Sequence, residues 1–192
     1  MTATAPPRPN RPFRFTREQY YRLGELGFFD GKRVELIFGE VIEMSPINWP
    51  HRLACRKVAE CLDAAFGNAA WVDQGGPINL TDSEPQPDIS VYAGRVEEYT
   101  DHPTTALLVV EVSATSLAND LTTKAELYAT AGIADYWVLD VDARELHVFR
   151  DPQPNAALEA TAYQTHTTHA PGDTVSPLAA PGATVRVGDL LP

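Results

Sequence analysis

Two carboxylates and a lysine in the middle of the chain have the types and spacing for chemistry at a phosphate group. Asp88 opens one apolar run, Asp88-Ile89-Ser90-Val91-Tyr92, and Glu111 stands near the end of the next, Ala106-Leu107-Leu108-Val109-Val110-Glu111-Val112. If the runs pair as antiparallel strands, the two carboxylates come close together. Left alone they would repel, and at least one would hold its proton more tightly; a hard divalent cation, Mg²⁺ or Mn²⁺, removes that cost. Lys124 is a second anomaly, because it shares a helical stripe with Leu121, Tyr128 and Ala131 and so faces a sheet rather than solvent. Beside Asp88, Glu111 and a cation, its ammonium can orient an attacking water or stabilise charge developing on a pentavalent phosphate.

His51 begins the apolar stripe that continues through Ala54 and Val58, so it too can face the sheet. Glu35 supplies a further carboxylate from a distant hairpin, although spacing alone does not bring it to the others. Each residue also has an ordinary reading. Asp88 can be a loop residue or cap after Pro87, Glu111 a strand-end residue reaching water, and Lys124 a side chain that snorkels past the helix edge. His51 can be a satisfied helix-start histidine and Glu35 a plain hairpin residue. Arg52, Arg56 and Lys57 can touch phosphate or form a solvated face, and His166 and His169 lie in a threonine-rich, β-prone tail where solvent exposure is favoured over metal binding.

The elements that must position these groups are an alternating set of helices and strands. Thr16 and Gln19 form a capping box for a helix through Tyr20, Leu23 and Leu26 that Gly27 can end. A hairpin follows, Arg33-Val34-Glu35-Leu36-Ile37-Phe38 and Val41-Ile42-Glu43-Met44 around Gly39-Glu40, after which Pro46 and Pro50 interrupt the chain. A helix is predicted from His51 to Gly67-Asn68, then strand segments at 71–72 and 78–80, a loop over 81–87, and the two strands that carry the carboxylates. Asn119-Asp120 reads as a capping pair for the helix of Lys124, which stops at Gly132; strands follow at 136–140, 146–149, 161–167 and 184–187. The predicted fold is α/β of the α+β kind, a mixed central sheet flanked by helices. A proline-rich arm over 1–12 precedes a single domain, 13–192, with a β-rich extension from about residue 151.

Composition narrows the function. The 192 residues are 44% hydrophobic, enough for a full core, and carry no run long enough for a membrane span and no signal-peptide core. A cytoplasmic location is expected. Cys55 and Cys61 point to different sides of one helix, which leaves neither a disulfide nor a metal pair. A formal charge of −11 argues against a protein whose main task is gripping long nucleic acid. Charge is local, however, and a carboxylate-rich cation site can coexist with a basic rim.

The order Glu35, His51, Pro87-Asp88, Glu111-Val112-Ser113, Lys124 to Tyr128 and Asp135-Tyr136-Trp137 resembles a widespread family of putative restriction endonucleases, formerly a domain of unknown function, within the PD-(D/E)XK nuclease superfamily. The resemblance covers residues 15–149 and continues more loosely through Gly172-Asp173 and 185–190. It implies a restriction-endonuclease-like core with an N-terminal helix and hairpin. Asp88, Glu111 and the carbonyl of Val112 would be metal ligands, with Glu35 and His51 accessory to the site. The superfamily's lysine stands two residues after the second acid, where this chain has Ser113, and Lys124 on the following helix is its natural replacement. Phe38-Gly39 also departs from an Asp-Gly turn.

The expected activity is Mg²⁺- or Mn²⁺-dependent hydrolysis of DNA phosphodiester bonds, with no small organic cofactor and no membrane partner. A catalytically inactive nuclease-fold domain that binds nucleic acid or protein is the alternative, and hydrolysis of a non-nucleic phosphoester is a third. Exposed strand edges and the apolar segment 136–139 allow a homodimer.

Overall fold

The computed structural model describes residues 12–157 and 160–192. All of the predicted N-terminal arm except Pro12 lies outside the described residues. Helix α1 (Arg17–Glu25) is closed at its start by the reciprocal capping box: Thr16 Oγ1 accepts from the Gln19 N–H at 3.2 Å and Gln19 Oε1 from the Thr16 N–H at 3.0 Å. Strands β1 (Val34–Ile37) and β2 (Glu40–Glu43) form the expected hairpin. Its two-residue turn holds Phe38 at φ 48° and Gly39 at φ 74°, the left-handed pair that the twist of a tight hairpin demands. Phe38 tolerates this because Ser83 Oγ accepts from its N–H and the Arg14 guanidinium donates to its carbonyl.

Helix α2 (Trp49–Phe66) starts two residues before the predicted His51, and Pro50 lies inside its first turn rather than breaking the chain. A proline there sacrifices no hydrogen bond, and Asn48 caps the helix by accepting from the His51 N–H at 2.9 Å. Strand β3 (Ala70–Gln74) follows. Residues 78–80 do not form the predicted strand. Their N–H groups bond singly to Pro85, Pro103 and Ser83, in the loop before β4 and the loop before β5, so no ladder develops although Ile78 and Leu80 are buried.

Strands β4 (Ile89–Ala93), β5 (Leu108–Ser113), β6 (Asp135–Asp140), β7 (Glu145–Asn155) and β8 (Ala160–His169) complete a six-stranded sheet in the order β3-β4-β5-β6-β7-β8. The β5–β6 pair is parallel and the others antiparallel. Alternation along β5 and β6 sends Val110, Val112, Trp137 and Leu139 toward α2, and Val109, Tyr136 and Val138 to the opposite layer. Tyr136, Trp137, Val138 and Leu139 are fully buried between β5 and β7, so this segment offers no dimer surface.

The parallel connection from β5 to β6 is a continuous helical rod: α3 (Leu117–Asn119), a π-helical turn (Asp120–Lys124) and α4 (Ala125–Thr130). Asn119-Asp120 therefore lies within the rod instead of capping it. The wider turn shifts the inward stripe by one residue, burying Asp120 together with Lys124 where the α-helical count placed Leu121. Beyond residue 151, β7 and β8 extend the central sheet. Strands β9 (Thr174–Val175) and β10 (Val185–Arg186) are short; β10 falls within the predicted strand at 184–187, and α5 (Val187–Leu190), which packs against α2, follows directly.

Candidate active site

The β4–β5 register pairs Ile89 with Val110 and Ser90 with Val109, so Asp88, just before β4, falls opposite Glu111. Asp88 Oδ2 accepts from the Val112 N–H at 2.8 Å and lies 3.1 Å from His51 Nε2, tying the first turn of α2 to the end of β5. That bond raises the His51 pKa above its ordinary value, against the opposing effects of burial and of the nearby Arg33 charge.

Glu111 lies on the opposite face of β5 from Val110 and Val112 and meets the helical rod. Lys124 Nζ donates to Glu111 Oε1 at 3.0 Å, and the Tyr128 hydroxyl donates to the same oxygen at 2.7 Å. Glu35 Oε1 is 3.3 Å from Lys124 Nζ, and Glu35 Oε2 accepts from the Gln86 N–H at 3.1 Å. Glu35, Glu111 and Lys124 are all buried. Burial alone would pull Lys124 down, but Glu111, Glu35 and Asp120 outweigh it and hold the ammonium charged. Burial pushes Glu111 up; Lys124 opposes that rise, while Asp88, Asp120 and Glu35 add to it. A lysine among three acids still leaves the cluster short of positive charge.

The structure thus gathers Glu35, His51, Asp88, Glu111, Val112 and Lys124 around one cleft of about 270 Å³. Glu35, which no spacing argument could place, arrives because Leu36 and Glu84 bridge the hairpin to the loop before β4. Sequence reasoning missed Tyr128 and Asp120 as members of the cluster. Tyr128 stands four residues after Lys124, on the same side of the rod, and that spacing was its signal. Asp120 accepts from Ser116 Oγ at 2.6 Å, and only the π turn brings it inward. Cys55 was also missed. It follows His51 by one helical turn, with Sγ 3.5 Å from Nδ1, and one atom from each of His51, Cys55 and Asp88 fits within 4.8 Å of the others. Burial, reinforced by Asp88 and Glu111, raises the pKa of the Cys55 thiol, and sulfur is a soft donor poorly matched to a hard cation.

The donor set fits a hard divalent cation. Among the described residues, hydrogen bonds to Asp88 fall on Oδ2 and those to Glu111 on Oε1, which leaves Oδ1 and Oε2 for another ligand. Elsewhere, Arg56 pairs with Glu60 and Lys57 donates to the Leu191 carbonyl, so neither joins the cleft. His166 Nε2 lies 3.2 Å from His147 Nδ1 on the exposed face of the β7–β8 pair, away from the site. Asp135, part of the Asp-Tyr-Trp sequence, serves the core: it accepts from the Trp137 indole at 2.8 Å, from Arg150 at 2.8 Å and from the Leu178 N–H at 2.8 Å.

Comparison with known proteins agrees with this architecture. A crystal structure of a putative nuclease belonging to DUF820 from Anabaena variabilis ATCC 29413 superposes with a TM-score of 0.65 at 18% identity, covering 83% of this chain and 89% of that one. The shared feature is the fold, a mixed sheet flanked by helices. No helix among the described residues is long and apolar enough to cross a membrane. No curated protein matches the chain. The model of the Uma2 family, described as "Putative restriction endonuclease", matches residues 17–188, and the chain belongs to that family.

Proposed function

We propose that the protein is a divalent-metal-dependent endonuclease that hydrolyses DNA phosphodiester bonds, with residues 13–192 as its single catalytic domain. Asp88, Glu111 and the Val112 carbonyl would hold Mg²⁺ or Mn²⁺. The observation that carries this reading is the division of labour at the two carboxylates: one oxygen of each is occupied by protein donors, and the other is left for a ligand in a shared cleft. When bound, the cation supplies charge neutralisation at the phosphate and a nucleophile at neutral pH.

The chain's own groups have separate tasks. Lys124 opposes the rise that burial imposes on the Glu111 pKa and brings a fixed positive charge to the cleft, where negative charge develops on the phosphate oxygens. Glu35 and Tyr128 hold that lysine–glutamate pair in place, and Glu35 also tethers the loop before Asp88 through Gln86. His51 orients Asp88 from the opposite side. These are positioning roles, because the contacts run to Asp88, Glu111 and Lys124.

The test is cleavage of single- and double-stranded DNA with Mn²⁺, with Mg²⁺ and with chelator, alongside Asp88→Ala. Metal-dependent cutting that the substitution abolishes is the expected result. A folded protein that binds Mn²⁺ yet cuts neither substrate would overturn the assignment of DNA.

A further inference from the structure

A second cavity, of about 410 Å³, adjoins the cleft and shares His51, Asp88, Arg33, Ile47 and Asn48 with it. Its wall adds Trp49 and Arg52. Trp49 is 71% exposed in the first turn of α2, beside Ile47 at 52%, an unusual display of large apolar surface next to a charged site. Among the described residues Arg33 and Arg52 have no carboxylate within 4.0 Å; Lys57, Arg144 and Arg186 share that property but line neither cavity. In a chain of charge −11, unpaired guanidinium groups beside an exposed indole are the local exception.

We propose that this cavity holds an unpaired nucleotide next to the scissile bond, with Trp49 as the stacking platform for its base and Arg33 and Arg52 as the phosphate clamp. The scissile bond's place rests on the endonuclease reading; the binding itself does not. An indole stacks on any base, because every base offers a π face, and guanidinium groups match phosphate oxygens two at a time. A base inside a duplex has both faces covered, so the platform selects single-stranded, frayed or bulged DNA. The arginines also answer the charge objection, since only the phosphates flanking the site need to be neutralised.

The experiment titrates a short dye-labelled oligothymidylate in chelator, where nothing is cut, reading affinity from the anisotropy of the dye and stacking from tryptophan quenching, followed by cleavage assays with Mn²⁺. Trp137 is fully buried and Trp71 packs against Tyr92 and Tyr99, so quenching by a stacked base reports Trp49. Trp49→Phe should lose the quench while keeping most of the affinity. Trp49→Ala should bind about tenfold more weakly, the scale of one stacked base. Arg33→Gln with Arg52→Gln should weaken binding and flatten its salt dependence. Phe28→Ala, at an exposed aromatic that lines neither cavity, should change nothing.

Equal affinity for oligothymidylate in wild type and Trp49→Ala would overturn the proposal. So would equal competition by a duplex, or an effect of Trp49→Ala on self-association alone, which would make the patch a contact between two copies. Quenching without any metal-dependent cutting would sustain the nucleotide site and sink the nuclease activity. Cutting that Asp88→Ala abolishes and Trp49→Ala leaves untouched on both strand types would do the reverse.

Discussion

Lys124 Nζ lies 3.0 Å from Glu111 Oε1, a pair drawn from a helix and a strand, with both side chains buried. Removing the cation strands Glu111 and Glu35 without their shared partner. Lys124→Met should therefore lower stability by about 3–5 kcal/mol in urea unfolding, the usual cost of breaking a buried pair from one side. Adding Glu111→Gln should recover much of that loss, while leaving cleavage abolished. A double variant no more stable than the single one would show that the pair is not the source of the effect.

Tyr128 contributes one hydroxyl hydrogen bond to that same carboxylate oxygen. Tyr128→Phe keeps the ring, which packs against Tyr136, and deletes only the bond. A loss of about 1.5–3 kcal/mol is expected for a hydrogen bond to a charged acceptor. Cleavage should fall with little change in Mn²⁺ affinity, as calorimetry can establish.

His51 provides a pH test in metal-free protein. Its bond to Asp88 raises the folded pKa above the ordinary 6.5, so the folded state binds the proton more tightly than the unfolded chain. The stabilisation is fully present below about pH 6.5 and fades as pH rises through the higher folded value. Imidazole resonances followed by NMR should titrate above 6.5 in wild type, and Asp88→Asn should bring the midpoint down. No movement on that substitution would remove Asp88 as the cause.

Asp135 is fully buried and satisfies Trp137, Arg150 and Leu178 at once. Asp135→Ala should cost about 3–5 kcal/mol because a partly buried guanidinium loses its partner. Mn²⁺ binding at low temperature should persist, which would separate this framework acid from Asp88 and Glu111.

Local signals in the sequence were sufficient for much of this protein. The Thr16–Gln19 box, the hairpin around Gly39, the ends at Gly67 and Gly132 and the apolar run of β5 depend on neighbours a few residues away, and the structure has them where the spacing puts them. Asp88 and Glu111 were legible as a pair because antiparallel register follows from alternation, and Lys124 because one cation interrupts an apolar stripe.

What needed the tertiary structure were contacts that no period encodes. Glu35 reaches Lys124 only because a bridge ties the hairpin to the loop before β4, and Asp120 turns inward only through a π turn that an α-helical count misses by one residue. Residues 78–80 are apolar enough for a strand, but their N–H groups bond to two different loops rather than along one strand, so they stay irregular. Types, periods and caps are properties of short segments, whereas the convergence of five segments on one cleft is set by how the sheet, α2 and the helical rod pack together.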